Sequence, residues 1–540
     1  MTTPSAPLSG ALATDPYASH VVARLLDFFA DTTPWPRRLW DVSSGLALRE
    51  AHEAARWQAN QALSPGAVTW YLSSLQRQLG PDRGLGDGKL RRLLMDLLKR
   101  GLAVNSAERR QLGQLLPTIV TGYLDRWRDA LLAGPIPSAE RLARAIATHL
   151  LDLGHSSGHL HRWARELSQK PGTTLGDLLA EACGVARRGD VTYEVLVPFA
   201  SLPNHVQLAA HLPEWLDATR AAHWLAMNNV AKPPRQYGAF LYSITAKDPT
   251  AAARAAGALV QRLQARATYA RGEAAGRLEP VGKVWIAGHD HPLPVSPPAR
   301  GVDVLSLVRE KTMYAISTKG ALDDALEMAA PLNAGPAAPA VSGAWSAIES
   351  LLSQASDAGE GRPGRVVAAD RLAAIVACSW PRAELTALSY RHRPEVPDAL
   401  SVELDSLKKN LDRSRAMAVA LHDGVALAVN SPSDNAAVQR IAAVVANPYK
   451  ELADVRAVFE GVVRRLYRQR NIVVHGGTTA SVAMDATLRT ASPLVGAGFD
   501  RLVHAKLQTG VGPLELAARA ANSLELIGDP LGPDLCSLLE

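Results

Sequence analysis

The stretch Arg465-Leu466-Tyr467-Arg468-Gln469-Arg470-Asn471-Ile472-Val473-Val474-His475-Gly476-Gly477 runs a basic amphipathic helix into an Arg-Asn pair, three apolar residues and a histidine followed by two glycines. Upstream, Val455, Phe459, Val463 and Leu466 recur at four- and three-residue steps, the spacing of one buried helix face. Four residues after Leu466 that face presents Arg470 instead of another hydrophobe. A guanidinium aimed at an interface calls for an anion, either a carboxylate, a phosphate, or both in turn. Asn471 and His475 share a helix face, whereas Arg470 and His475, five residues apart, splay by about 140° on an unbroken helix. Their convergence is expected to need a bend near His475, where Gly476-Gly477 favours the left-handed backbone that ends helices.

An arginine to hold a phosphate, a histidine to move a proton near neutral pH and an amide to orient them suffice to cleave RNA through its own 2′-hydroxyl, with no metal and no cofactor. The competing reading is structural. Arg470 would cap a buried carboxylate, Asn471 would bond backbone and His475 would be a satisfied core histidine, since so short a pattern recurs by chance. Arg456, Arg464, Arg465, Arg468 and Arg470 all fall on this helix, so Arg464, Arg465 and Arg468 are candidate contacts to an RNA backbone.

The whole phrase, Arg-x-x-Tyr-Arg-x-Arg-Asn-x-x-x-His-Gly on the third long helix of an all-helical C-terminal module, resembles the HEPN superfamily (higher eukaryote and prokaryote nucleotide-binding domains), in particular its Apea-like branch. The resemblance covers roughly the last 200 residues. It implies a ribonuclease site of the R-x4-6-H type made by Arg470, Asn471 and His475, with Tyr467 in support. It further implies an acidic residue on the first helix of the bundle, for which Glu349 is the candidate, and a homodimer through the C-terminal domain. A toxin-like role in antiphage defence would follow, with the N-terminal region sensing a phage-derived or nucleic-acid trigger. The stripe Phe459, Val463 and Leu466 leading to the site suits a helix-to-helix interface between two copies, or else packing within its own bundle. The alternative of another class is a non-catalytic HEPN-like module for RNA or nucleotide binding or for dimerisation.

At 540 residues the chain exceeds one ordinary core, so roughly two to four domains are expected. Hydrophobic residues at 47% and charged residues at 20% are globular proportions, and the net charge of +6 is compatible with a nucleic-acid partner. Three widely spaced cysteines, Cys183, Cys378 and Cys536, make neither a disulfide scaffold nor a metal site, which favours the cytoplasm. The N-terminus has no leader-like pattern and no apolar run is long enough to span a membrane, so no membrane partner is expected.

The expected fold is mainly α. Residues 1–18 read as a flexible tail, 19–185 as a helical N-terminal domain, 186–328 as a small α+β middle domain, 329–341 as a Pro/Ala/Gly linker, and 342–540 as a HEPN-like helical bundle. Strands are expected at Thr192 to Phe199, Gly238 to Ile244 and Gly282 to Ala287, and single helices at Ala107 to Leu132 and from Leu400 to about Val419. Gly154-His155-Ser156-Ser157-Gly158 matches the G-x-S-x-G nucleophile elbow, but helical periodicity precedes it where a strand is required, so a helix stop followed by a serine cap explains it better. His289-Asp290-His291 could seat a metal and gives a third function, a metal-dependent phosphoesterase, without the accompanying acidic strings such enzymes carry. No phosphate-binding G-x-x-x-x-G-K-[ST] loop occurs, so no nucleotide triphosphatase is argued for.

Overall fold

Serine caps and first-turn prolines set several helix starts: Ser43 accepts from the Leu46 amide, Ser106 from that of Arg109 and Ser431 from that of Asp434, while Pro16, Pro65, Pro432, Pro448 and Pro513 stand in first turns. The computed structural model describes residues 11–86, 88–202, 211–269, 278–317, 320–359 and 364–540. These fall into two compact units, a large one of residues up to 152, 164–183 and 300–540, and a small one of 153–163 and 184–299.

Among the described residues, the α-helices that lead the chain are α1 (Pro16–Phe29), α2 (Ser44–Ala59), α3 (Pro65–Leu79), α4 (Lys89–Arg100), α5 (Ala107–Thr121), α6 (Tyr123–Ala133), α7 (Ala139–Asp152), α8 (Ser157–Gln169) and α9 (Leu175–Arg187). The single helix expected over Ala107 to Leu132 is two, broken at Gly122, whose N–H bonds back to Thr118 and whose φ of −99° and ψ of 14° leave the helical range. The tail expectation fails beyond residue 10: Leu12 is buried, its amide donates to Thr173, and Asp15 caps α1; residues 1–10 lie outside the described set.

The small unit holds β1 (Val191–Ser201), β2 (Trp215–Asp217), β3 (Gly238–Ala246), β4 (Glu279–Pro280), β5 (Lys283–Ile286) and β6 (Leu293–Pro294) in an antiparallel sheet of order β2-β3-β1-β5-β6, with β4 also on β1. Alternation along β1 sends Val195, Val197 and Phe199 to one face, under α11 (Pro249–Tyr269). Leu196 goes to the other, under α10 (Ala218–Met227). The three expected strands are β1, β3 and β5.

The C-terminal region comprises α12 (Ala321–Ala329), α13 (Ala337–Leu352), α14 (Gly364–Ser389), α15 (Ala399–Ser406), α16 (Asn410–His422), α17 (Pro432–Ala446), α18 (Pro448–Gly476), α19 (Met484–His504) and α20 (Pro513–Leu526). The expected linker is a correction. Pro331 opens a helical turn, α13 begins right after Pro336, and Leu332, Ala340 and Val341 are fully buried. Prolines tolerated in first turns and small residues that let helices touch account for this. A Cβ on Gly343 would lie 2.0 Å from the Met328 carbonyl oxygen of α12. The segment 300–328 therefore belongs to the large unit and not to the middle domain. The helix expected from Leu400 is also divided: Arg413 folds back onto the Leu404 and Leu407 carbonyls and satisfies the end of α15.

The boundary expected near residue 342 does not separate two cores. Trp40 packs edge-on against Trp380 and Phe459 at 5.9 and 4.7 Å, while Ile472 and Ala486 are buried among the residues of α2 to α5. Arg37 bridges Glu384 and Asp434, both at 2.7 Å. The N-terminal helices and the C-terminal bundle share one body.

Candidate functional site

Helix α18 carries the motif to its last turn. Gly477 ends it in the left-handed conformation at φ 65°, with its N–H on the Val473 carbonyl. Gly476 matters for a different reason, since a Cβ there would lie 2.8 Å from the ring of Trp57 on α2 and only glycine admits that close approach. After the turn, Ser481 Oγ and the Val482 amide both donate to Glu53 Oε2, at 2.9 and 3.1 Å. Helix α2 thus shapes the chain on both sides of the motif's end. Sequence patterns gave no signal for Trp57 and Glu53 in this place.

Arg470, Asn471 and His475 converge. Arg470 Nη1 donates to Asn471 Oδ1 at 3.0 Å and lies 3.4 Å from His475 Nε2. The expected bend is absent, because the helix runs unbroken through Gly476. The reach of the arginine side chain closes the angular gap instead. A guanidinium offers only donors, so its approach to Nε2 suits a neutral imidazole with the proton on Nδ1 and a lone pair on Nε2. Asn471 is buried, Arg470 half-buried and His475 exposed, so the group opens to solvent on its histidine side.

The remaining arginines of α18 are occupied, and the expectation for Arg464, Arg465 and Arg468 is corrected. Arg464 makes a two-point pair with Asp370 at 2.9 and 2.6 Å, its guanidinium 4.0 Å over the ring of Trp70. Arg465 and Arg468 are buried and both grip Glu50 of α2, at 3.0 and 2.8 Å, with Arg468 over Tyr71. Tyr71 donates its hydroxyl to the same carboxylate at 3.0 Å. Burial works to raise the Glu50 carboxyl, but Arg468 and Arg465 beside it bring it down to about 2. Arg456 pairs with Glu460 at 2.9 Å. Arg470 is the arginine of this helix with no carboxylate partner among the described residues.

Tyr467, three residues before Arg470, packs on Trp345 of α13 with ring centroids 4.6 Å apart, and Trp345 Nε1 donates to Glu349 at 3.1 Å. Glu349 and Tyr467 therefore meet through one tryptophan on the neighbouring helix. The stripe Phe459, Val463 and Leu466 is buried in its own bundle, which removes it as a surface for a second copy. A cavity of about 460 Å³ lined by Trp35, Arg309, Glu310, Arg382 and His504 lies elsewhere in the large unit and touches none of the three motif residues.

In the small unit Ser156, His155 and Asp248 do come together, but the wiring is structural. Ser156 Oγ donates straight to Asp248 at 2.7 Å, its amide donates at 2.8 Å, and it caps α8 through the His159 amide. His155 Nε2 faces the Val185 carbonyl, so no imidazole activates the serine hydroxyl. This agrees with a helix stop and a serine cap. His289 packs edge-on to Tyr193, and among the described residues no group of three metal-ligating side chains forms. Among them, too, no helix is long and apolar enough to cross a membrane. Comparisons with protein-family models, with curated proteins and with solved structures found no match to the chain.

Proposed function

We propose that the chain is a metal-independent endoribonuclease of the HEPN type, acting in the cytoplasm on RNA. The observation that supports this most is Arg470: among the described residues it alone of the arginines of α18 has no carboxylate, and it is held against Asn471 and an exposed His475. In the reaction, His475 Nε2 takes the proton of a ribose 2′-hydroxyl as that oxygen attacks the adjacent phosphorus. The bond to the 5′-oxygen breaks, leaving a 2′,3′-cyclic phosphate and a 5′-hydroxyl whose proton comes from water or a second histidine. Arg470 binds the phosphate and meets the charge that grows on its oxygens, and Asn471 fixes the guanidinium. The resemblance extends the proposal to a toxin-like effector of antiphage defence.

The test is RNA cleavage in excess EDTA with end-group analysis. Cyclic or 3′-phosphate ends, and no cutting of DNA, are the expected result. A strict requirement for Mg²⁺ or Zn²⁺ would sink the mechanism, and RNA binding without cuts would favour the non-catalytic module.

The same proposal includes a homodimer that sets two such groups around one cleft, one histidine as base and the other as acid. With the apolar stripe buried, the surface for it is the exposed end of the motif helix around Val474 and His475. Mixing inactive Arg470→Ala and His475→Ala chains is expected to restore part of the activity through the mixed dimer. Sedimentation as monomers with and without RNA would defeat it.

A further inference from the structure

We infer that the outer face of α11 in the small unit is a binding surface for the phosphate backbone of single-stranded RNA. This inference rests on the ribonuclease reading for its biological sense but not for its evidence. Charge is unevenly distributed over the chain. The small unit holds 13 Lys and Arg against 8 Asp and Glu, a surplus of five out of the whole chain's +6. Within it α11 is 21 residues long and contains no acidic residue, while Arg254, Arg262 and Arg266 are all exposed on it. Among the described residues none of the three has an ion-pair or hydrogen-bond partner. That contrasts with α18, where every arginine but Arg470 is paired with a carboxylate.

The rotation of α11 is fixed by its other side. Ala252, Ala253, Ala256 and Val260 are buried against the sheet, and a Cβ on Gly257 would lie 2.0 Å from the Val295 carbonyl oxygen. The helix therefore sits close to the strands and cannot turn its arginines inward. At 1.5 Å and 100° per residue, the three guanidinium-bearing positions span about 18 Å of helix within about 120° of arc. Tyr269 ends the same face with 87% of its surface exposed, a ring on which a base can stack.

A surface that serves only solubility mixes charges of both signs, whereas α11 itself carries three exposed arginines and no acidic residue. A helix that lies on a membrane needs a broad apolar face, and here that face is spent on the sheet. A row of unpaired arginines ending in an exposed aromatic ring matches a chain of repeated phosphates and bases better than a lipid surface.

The experiment uses the full chain carrying His475→Ala, so that the probe stays intact, and a fluorescein-labelled single-stranded RNA of about 30 nucleotides, long enough to follow a groove-tracking site. Adding Arg254→Glu, Arg262→Glu and Arg266→Glu together is expected to weaken binding at least about tenfold at physiological salt and to flatten the log-log salt dependence by about 2. Tyr269→Ala alone is expected to weaken it by roughly fivefold or more with no change in that slope. All four positions are exposed, and an unchanged circular dichroism melt confirms the fold of each variant. Unchanged RNA affinity and slope in the triple variant overturn the inference, as does loss of binding to phosphatidylserine vesicles with RNA binding intact. Separately, a His475-intact chain that cuts no RNA sinks the ribonuclease reading. The binding result still decides the role of α11.

Discussion

Arg470→Ala and His475→Ala are each expected to lower RNA cleavage by about a thousandfold or more while leaving the melting temperature close to that of the parent. The size follows from the roles: a positioned general base contributes roughly 10²–10⁴ in rate, and a preorganised charge at the phosphate a comparable amount. The small effect on stability follows from the contacts. Arg470 bonds Asn471 and approaches His475, so its removal strands no buried carboxylate. His475 is exposed and its loss opens no cavity. Arg470→Lys should fail nearly as badly, because an ammonium cannot reach Asn471, His475 and a phosphate at once as the planar fork does. The double variant should be scarcely worse than either single one, since groups that act as a unit are not additive. Single-turnover cleavage beside thermal melts checks all four. If Arg470→Ala unfolds the bundle, the arginine is structural and the assignment is lost.

How much of this was legible in the sequence differs between local and distant features. Alternation and helical periodicity locate the strands β1, β3 and β5 and the motif helix, because those signals lie within a few residues of what they determine. Periodicity does not mark helix α17, although Ser431-Pro432 announces its start. Its buried apolar residues are Ala436, Ala437, Ile441 and Val444, a small-residue pattern with little contrast between faces. The linker expectation fails for the same reason, since Ala329, Ala340 and Val341 are buried in a stretch with little contrast between apolar and polar faces. In the site, Arg470, Asn471 and His475 were legible as residue types, whereas the fate of Arg465 was not, because its partner Glu50 is 415 positions away. A single sequence carries no trace of such a pair. Basic residues beside a candidate phosphate-binding motif therefore read alike, whether they face solvent or a buried acid.

Glu50→Ala is expected to cost the large unit about 3–5 kcal/mol, the second large effect. The carboxylate is buried at 4% exposure and is shared by Arg465, Arg468 and the Tyr71 hydroxyl, so removing it leaves two guanidinium groups in the core with no anion. Glu50→Gln should lose nearly as much, because the amide keeps the shape and drops the charge. Replacing all three at once, as Glu50→Leu with Arg465→Leu and Arg468→Met, should recover much of the loss, since a packed apolar cluster commonly matches or exceeds a buried ion network. The pH dependence has a definite sign. With its carboxyl brought from the ordinary 4.5 down to about 2 in the folded chain, Glu50 contributes stability that is whole above about pH 4.5 and is lost as pH falls toward 2. Thermal melts at about pH 5 and about pH 3 should therefore differ more for the parent than for the triple variant. The triple variant also separates structure from chemistry. If Arg465 and Arg468 serve the fold, it should still cut RNA within about threefold of the parent rate, in line with their distance from any function in the transition state. A stable triple variant that no longer cuts would return those arginines to the RNA, and would mean that Glu50 releases them when substrate binds.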